Sequence, residues 1–202
     1  MSTFLPIISR LHNQGFNLLA GIDEAGRGPL AGPVVCAAVI LKEDAELPNL
    51  NDSKLLSAKK RLQLFNLILE NCLDYAIAVV PHEIIDRINI LNAVRQANLL
   101  CIKSLKIKPK LILIDGRDKQ FIRQRFQTII KGDSRVACIA AASILAKVTR
   151  DMIMKHYHQL YPQYQFDQHF GYGTRKHYSK IEQHGLCDIH RKSYSYENCS
   201  YR

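Results

Sequence analysis

Apolar residues in this chain fall either into short, almost wholly apolar blocks or onto positions at helical spacing, and their order predicts an α/β fold. Phe16 to Ile22 (FNLLAGI), bounded by Gly15 and the glycine-rich DEAGRG, reads as a buried strand with Asp23 and Glu24 at its end. Pro33 to Leu41 (PVVCAAVIL) is a second strand, closed by the polar KEDAELPN turn, and the two form an antiparallel pair. Ser57 followed by Leu62, Phe65 and Leu69 gives a helix start and an apolar stripe, after which Leu73 to Val80 alternates as a third strand. Pro81 opens a helical region of two stretches ending near Lys106. Pro109-Lys110 then introduces the apolar run Leu111 to Ile114, which Asp115 and Gly116 terminate. Phe126 to Ile130 is a fifth strand, and the turn Lys131-Gly132-Asp133-Ser134 caps a long helix. That helix carries Val136, Ile139, Ala140, Ile144, Val148 and Met152 on one side and runs to about Tyr157. The later residues are rich in Tyr, His, Gln and Lys and are broken by Gly171 and Gly173, which predicts a small helical segment over 158–202 behind a main domain over 1–157. Three strands in sequence, then helices, then strand, strand and helix favour a mixed five-stranded sheet flanked by helices over uniform βαβ winding.

Length and composition narrow the class. The 202 residues, 47% hydrophobic and 23% charged, suit one globular domain with a small appendage and exclude a disordered or fibrous chain. The longest apolar run, Ala31 to Leu41, is 11 residues and contains Pro33, short of the roughly 18 to 20 that a membrane span needs. The N-terminal stretch carries no secretion signal, so a cytoplasmic protein is expected. Six cysteines without any C-x-x-C pair read as free thiols, with neither zinc nor redox chemistry implied. Six of the eight histidines lie beyond residue 155, but no H-x-x-x-H pair exists, and they read as exposed polar residues.

Charge is distributed unevenly. The net of +10 divides into −1 over residues 1–100, +7 over 101–135 and +4 over 136–202. Clustered Lys and Arg gain affinity for phosphates by releasing counterions, so a polyanionic partner facing the middle and end of the chain is one reading; a merely soluble basic protein is the other.

The chemical clue lies in two apolar strands that end in carboxylates, Asp23-Glu24 and Asp115. Strand ends are where α/β sheets gather ligands, and three carboxylates converging there would repel unless a cation is bound. Oxygen-only ligation suits Mg2+ or Mn2+. Asp133, just before a helix, reads on its own as a capping residue. Asp118 and Asp52 are weaker candidates, and Asp151, with Lys147 and Lys155 four residues to either side, has the pattern of a solvated helix face. The segment from Gly26 to Gly32 is neither a dinucleotide fingerprint, which would need glycine in place of Ala31, nor a P-loop. Glycines around Arg27 either permit close backbone approach to a ligand or make a plain tight turn.

The blocks GIDEAGRGPLAGPVVCAAVIL, NDSKLLS, LILIDG, KGD, IAAASILAKVTRD, GYGT and HRKSY resemble, in order from Gly21 to Tyr194, the bacterial ribonuclease HII (type 2 ribonuclease H) family. The resemblance implies a ribonuclease H-like sheet domain with a short helical C-terminal segment. It also implies hydrolysis of the RNA strand in RNA–DNA hybrids and incision on the 5′ side of single ribonucleotides in duplex DNA, in service of ribonucleotide excision repair. Asp23, Glu24, Asp115 and Asp133 match the family's catalytic, metal-binding carboxylates, which reassigns Asp133 from cap to ligand. Gly26, Arg27 and Gly28 match the loop that reads the ribonucleotide 2′-OH, and Tyr172 matches the tyrosine packed at the RNA-to-DNA junction. Lys54, Ser143 and Lys147 lie in blocks that hold or approach backbone phosphates. Phe170 departs from the basic or polar residue expected before GYGT. The implied mechanism uses two divalent cations, Mg2+ or Mn2+, and leaves 5′-phosphate and 3′-hydroxyl ends, with the protein acting as a monomer on hybrid or ribonucleotide-containing duplexes and on no membrane. The competing class is a non-catalytic nucleic-acid-binding domain, but four carboxylates near the phosphates would weaken a pure binder.

Overall fold

Four elements of the computed structural model make the central layer's framework: β1 (Leu19–Ala25), β2 (Val34–Leu41), β3 (Cys72–Val80) and β4 (Leu111–Asp115), joined at the edge by β5 (Phe126–Ile129). The structure describes residues 5–196 apart from 52, 119 and 121, without the side chains at positions 5, 6 and 54. Sheet order is β3-β2-β1-β4-β5; β1, β2 and β3 pair antiparallel, whereas β4 runs parallel to both β1 and β5. The mixed five-stranded sheet expected from the order of elements is the one observed, with the first strand shifted three residues towards the carboxylates.

The period-2 alternation of each strand divides the core between two faces. Ala20, Ile22, Cys36, Ala38, Ile112 and Ile114 pack under α3 (His82–Ser104), through its Ala93, Val94, Ala97 and Cys101. The odd-numbered Val35, Ala37 and Val39 face α2 (Ala58–Asn71) and α4 (Ala137–Leu160). Ser57 caps α2, its side chain accepting from the Lys60 N–H, and the buried stripe of that helix is Leu64 and Ile68; Leu62, expected inside, is 46% exposed. α3 contains the break that the sequence suggests: Asn89 adopts a left-handed φ of 65°, and its Oδ1 accepts the Asn92 N–H to restart the helix.

α4 runs past Tyr157 to Leu160, and its buried side ends on Met154, not on Met152, which is exposed. At its start it lies backbone to backbone on β1, because a Cβ on Gly21 would fall 2.1 Å from the Cys138 carbonyl carbon. An N-terminal helix, α1 (Leu5–Asn13), places Leu11 against Leu19 and Ile139. It is absent from the sequence reading, although Ile7, Ile8 and Leu11 are spaced as a helical face.

After α4, two short helices, α5 (Phe166–His169) and α6 (Arg175–His184), fold back on the end of α4 around Met154, Tyr164, Phe166 and Ile181. Residues 189–191 then return to the main body: Arg191 N–H donates to Leu30 O, Gly32 N–H donates to Ile189 O, and Ala31 bridges His190. The five cysteines among the described residues are free thiols. No helix among the described residues is long and apolar enough to cross a membrane.

His169, His177 and His190 correct the expectation of exposed polar residues, since all three are buried. Burial holds the pKa of His177 down to about 3 and that of His190 to about 4, whereas the unfolded chain protonates its histidines near ~6.5. The folded form therefore excludes protons that the unfolded form takes up. The resulting stability is complete above about pH 6.5 and is lost as pH falls from there towards the folded values, at a slope of at most about 1.4 kcal/mol per pH unit for each ring. A melting temperature that falls from about pH 7.5 to about pH 5 is expected, with a smaller fall in His177→Gln. An equal fall in both proteins would show that other groups govern the acid limb.

Candidate active site

Strand alternation and register bring the carboxylates together. β1 and β4 run parallel with Ile22 opposite Ile114, so Asp23 and Asp115 follow level with each other at the ends of adjacent strands. Both are odd-numbered positions and share the α4 face of the sheet with Leu19, Leu111 and Leu113. Glu24 takes the other face. Asp133 is buried in the 3-10 turn Gly132–Ser134 that directly follows β5, and the preceding Gly132 N–H donates to Asp115 Oδ1 at 2.6 Å. Asp133 does not cap the long helix: α4 begins at Ala137, behind Val136, which makes no side-chain cap hydrogen bond.

Electrostatics mark the cluster as short of positive charge. The Asp23 pKa is raised well above the usual carboxylate range, first by burial and then by the charges of Glu24 and Asp115; the Glu24 N–H, at 2.7 Å from Asp23 Oδ1, and the Ser143 hydroxyl oppose that rise. Glu24 is raised by burial as well, and the guanidinium of Arg27 works against it. Arg27 Nε donates to Glu24 Oε1 and its Nη2 donates to Asp118 Oδ2 at 2.6 Å. Asp118, a weak candidate by sequence, is therefore the second anchor of the loop arginine.

Among the described residues no three His, Cys, Asp or Glu side chains stand in an arrangement that could hold a metal ion as they are placed. Protein donors engage two of the carboxylates instead, Arg27 on Glu24 and Gly132 on Asp115. The donor set nonetheless fits a hard divalent cation. All the donors are oxygens, and burial with mutual repulsion leaves Asp23 and Glu24 holding protons more tightly than free carboxylates do.

The glycine-rich loop beside them is shaped by two arginines that sequence reasoning missed. Arg150 and Arg191 are fully buried; their acceptors are carbonyl oxygens and, for Arg191, the Tyr194 hydroxyl as well. Arg150 donates to Pro33, Ala31 and Phe170; Arg191 donates to Gly26, Arg27, Gly32 and Pro33. Burial and the neighbouring Arg191 lower the Arg150 pKa to about 10, which leaves it charged at neutral pH. Gly26, with φ of 105°, is required by this frame, because a Cβ there would lie 2.3 Å from Arg150 Nε and 2.7 Å from Pro33 O. Gly28 is different: it is exposed, and a Cβ would meet just one atom within 4 Å, Tyr172 Cε1 at 3.9 Å.

Lys147, half-buried on α4, donates to Asp151 Oδ1 at 2.7 Å, and its ammonium sits 4.8 Å above the centre of the Phe170 ring and 5.9 Å from that of Tyr172. Asp151 therefore braces Lys147 and, at 3.9 Å, approaches Arg61; it is not the plainly solvated residue that its spacing suggests. Burial lowers the Lys147 pKa, against the pull of Asp151. Phe170 occupies a left-handed conformation, gives its carbonyl to Arg150 and turns its ring to Lys147. Ser143 is buried and shares a 2.7 Å hydrogen bond with Ser53. Tyr172 is 41% exposed beside Gly28. Asp52 and the Lys54 side chain lie outside the described residues.

Comparison with known proteins places this arrangement. The family profile described as Ribonuclease HII matches residues 20–198. A ribonuclease HII of Endomicrobium trichonymphae is 55% identical over 185 residues, covering 91% of this chain and 88% of that protein. Among solved structures, the ribonuclease H2 of Pyrococcus horikoshii OT3 superposes with a TM-score of 0.77 at 27% identity, over 90% of this chain and 95% of that one. The Bst ribonuclease HIII solved in complex with Mn2+ shares the fold, with a TM-score of 0.70 at 19% identity, over 93% of this chain and 70% of that one. The match to the profile across nearly the whole sheet and tail, together with a relative identical at more than half of the aligned positions, establishes that the chain belongs to the ribonuclease HII family, endoribonucleases that cleave RNA in RNA–DNA hybrids.

Proposed function

We propose that this enzyme also incises duplex DNA on the 5′ side of a single embedded ribonucleotide, and that both activities use Asp23, Glu24, Asp115 and Asp133 as ligands for Mg2+ or Mn2+. The observation that carries the reading is the parallel β1–β4 register, which sets Asp23 and Asp115 level on one face beside the turn that holds Asp133. Two such cations would activate water for in-line attack on phosphorus and stabilise the departing 3′-oxygen, leaving 5′-phosphate and 3′-hydroxyl ends. The Mn2+ in the ribonuclease HIII complex is in keeping with that chemistry.

The chain's own residues orient and exclude. Gly132 N–H fixes Asp115 Oδ1 and so aims the other oxygen, while Glu24 N–H and Ser143 do the same for Asp23. Arg27 lies between Glu24 and Asp118, where a phosphate oxygen competing for its guanidinium would be drawn to the carboxylate cluster. Lys147, held between Asp151 and the Phe170 ring, presents a cation to the neighbouring backbone phosphate; Lys54 is assigned to the same grip by its sequence block alone, and Ser143, buried on Ser53, serves it by holding Asp23. Phe170 thereby supports the phosphate contact through Lys147. Gly26, Arg27 and Gly28 offer backbone to the 2′-OH, the group that separates ribose from deoxyribose, and Tyr172 packs on the adjoining sugar. In this reading residues 1–157 form the catalytic domain and 158–202 the substrate-binding segment of a cytoplasmic monomer that serves ribonucleotide excision repair.

The test is incubation with a duplex containing one ribonucleotide, in Mg2+ and in EDTA. Incision 5′ to the ribonucleotide in Mg2+ alone is expected; cleavage of a long hybrid with no cut at the lone ribonucleotide would refute the proposal. Gly28→Ala sharpens it, because the added Cβ has room inside the protein and projects where the sugar would approach. Its melting temperature should match the parent's while cleavage at ribonucleotides falls by about a hundredfold, the scale of a displaced near-attack geometry. Normal turnover by Gly28→Ala would remove the loop from recognition.

A further inference from the structure

Three imidazoles lie buried behind the turn that presents Tyr172. His169 and His177 stack with ring centres 4.4 Å apart, and His177 Nε2 is 3.1 Å from His190 Nε2. Their protonation follows from their partners. His190 Nδ1 faces the Cys187 N–H at 3.0 Å, Cys187 Sγ at 3.1 Å and Cys187 O at 3.3 Å; the backbone N–H, aimed at the ring nitrogen, needs a lone pair there, so we assign Nδ1 as acceptor and the proton to Nε2. His190 Nε2–H then donates to His177 Nε2, and His177 Nδ1–H donates to the Tyr172 carbonyl at 3.0 Å. One residue before Tyr172 in the same turn, Gly171 N–H donates to His169 Nδ1 at 3.2 Å, while His169 Nε2–H donates to Tyr164 O at 2.8 Å. Every ring nitrogen has a defined role, and all three rings are neutral. A chain of donors thus runs in one direction, from the 187–190 turn to the backbone of Tyr172.

The residue after His190 reaches the other loop. Arg191 donates to Gly26 O at 2.6 Å and to Arg27 O at 3.0 Å, and Tyr194, whose hydroxyl also donates to Arg27 O, braces it. The dipeptide is tied to the sheet domain by its bridge to Ala31 and, two residues on, by Ser193 donating to Asp86. Adjacent residues on one tethered segment therefore set two separate loops, Arg191 the backbone of Gly26–Arg27 and His190, through His177, the backbone of Tyr172.

We propose that His190 and His177 are positioning residues for ribonucleotide recognition: their hydrogen-bond chain fixes Tyr172 at a set distance from the Gly26–Gly28 loop that the adjoining Arg191 holds. The inference rests on the reading that this loop and Tyr172 recognise the ribonucleotide. Neither imidazole touches substrate. Both act by holding the gap into which the sugar at the RNA-to-DNA junction fits, and a gap that opens costs most where one ribose alone must be recognised.

The measurement is the ratio of lone-ribonucleotide incision to long-hybrid cleavage, in which any loss of folded protein cancels. His190→Phe keeps an aromatic ring, a slightly larger one, and removes both hydrogen bonds; it should lower the ratio about tenfold, the scale of losing one buried hydrogen bond to a positioned group. His190→Gln, whose amide donates where Nε2–H does, should bring the ratio back to within about threefold of the parent. In a Tyr172→Ala background, where the ring to be positioned is gone, His190→Phe should change the ratio no further. A parental ratio in His190→Phe, or an equal additional loss in the Tyr172→Ala background, would overturn the positioning role. Tyr172→Ala with a parental ratio would instead refute the recognition reading itself, whatever His190→Phe does.

Discussion

Asp23→Asn should lower cleavage in Mg2+ by about a thousandfold, the rate equivalent of several kcal/mol of lost charge stabilisation, and at the same time raise the melting temperature of the protein in EDTA. The two effects have one cause. Asp23 is buried on the face it shares with Asp115 and lies next to Glu24, and burial and both charges push its pKa up. A carboxylate whose folded pKa lies above its unfolded one costs stability when ionised; the cost is full above the folded value, shrinks as pH falls below it and is gone below the unfolded value. Asparagine removes the charge with little change of volume. Its Oδ1 still accepts the Glu24 N–H and its amide still meets the Ser143 hydroxyl. For a chain of this size each kcal/mol recovered raises the melting temperature by about 2–4 °C. An unchanged rate would remove Asp23 from the metal site; lost activity with a lowered melting temperature would mean that the carboxylate holds the fold together.

Arg191→Ala should be the most destabilising of the simple truncations, by about 3–5 kcal/mol, as for the removal of one member of a buried charged network. The guanidinium is buried and satisfies the carbonyls of Gly26, Arg27, Gly32 and Pro33, all on the loop that runs beside the carboxylates. Truncation takes the guanidinium from four carbonyls in a closed space; Pro33 O keeps Arg150 and Arg27 O keeps the Tyr194 hydroxyl, so the loss falls on Gly26 O and Gly32 O. Because Arg150 also donates to Pro33 O, the loop would retain one clamp, so the protein should still fold at low temperature but with a disordered Gly26–Gly28 backbone and little ribonucleotide cleavage. Denaturant unfolding at pH 7 gives the stability. A loss below about 1 kcal/mol would show that water replaces the guanidinium without penalty.

The strands and the carboxylates at their ends were legible because both signals are local: an apolar block, a turn residue, an acid. Ser57 as a cap and Pro81 as a helix opener belong to the same class. What was not legible depends on partners distant in sequence. Arg150 looks like one of several cations on a helix, and its burial follows from Ala31, Pro33 and Phe170 closing around it. His169, His177 and His190 carry no spacing signal, since the layer they form is assembled from α5, α6 and the segment that returns to Ala31. Leu62 and Met152 share the opposite error: each sits at a plausible helical spacing, but the buried position lies two residues further on, at Leu64 against the sheet and at Met154 among the residues of the tail. For Asp133 the local pattern alone read as a cap, and the observed start of α4 separates the two, because three residues stand between it and the first helical residue.

Gly21 has a consequence for how such an enzyme can vary. The contact of its bare backbone with Cys138 and Ile139 acts as a mechanical gauge between β1, which carries two of the acids, and α4, which carries Ser143, Lys147 and Arg150. One methyl group in that gap would lift the helix and change the reach of all three side chains together. The spacing of the two rails is thus set by an atom that is missing, and adjustment of the grip on different duplexes falls to parts that move independently of it: side-chain length along α4, and turns such as the one that bears Phe170.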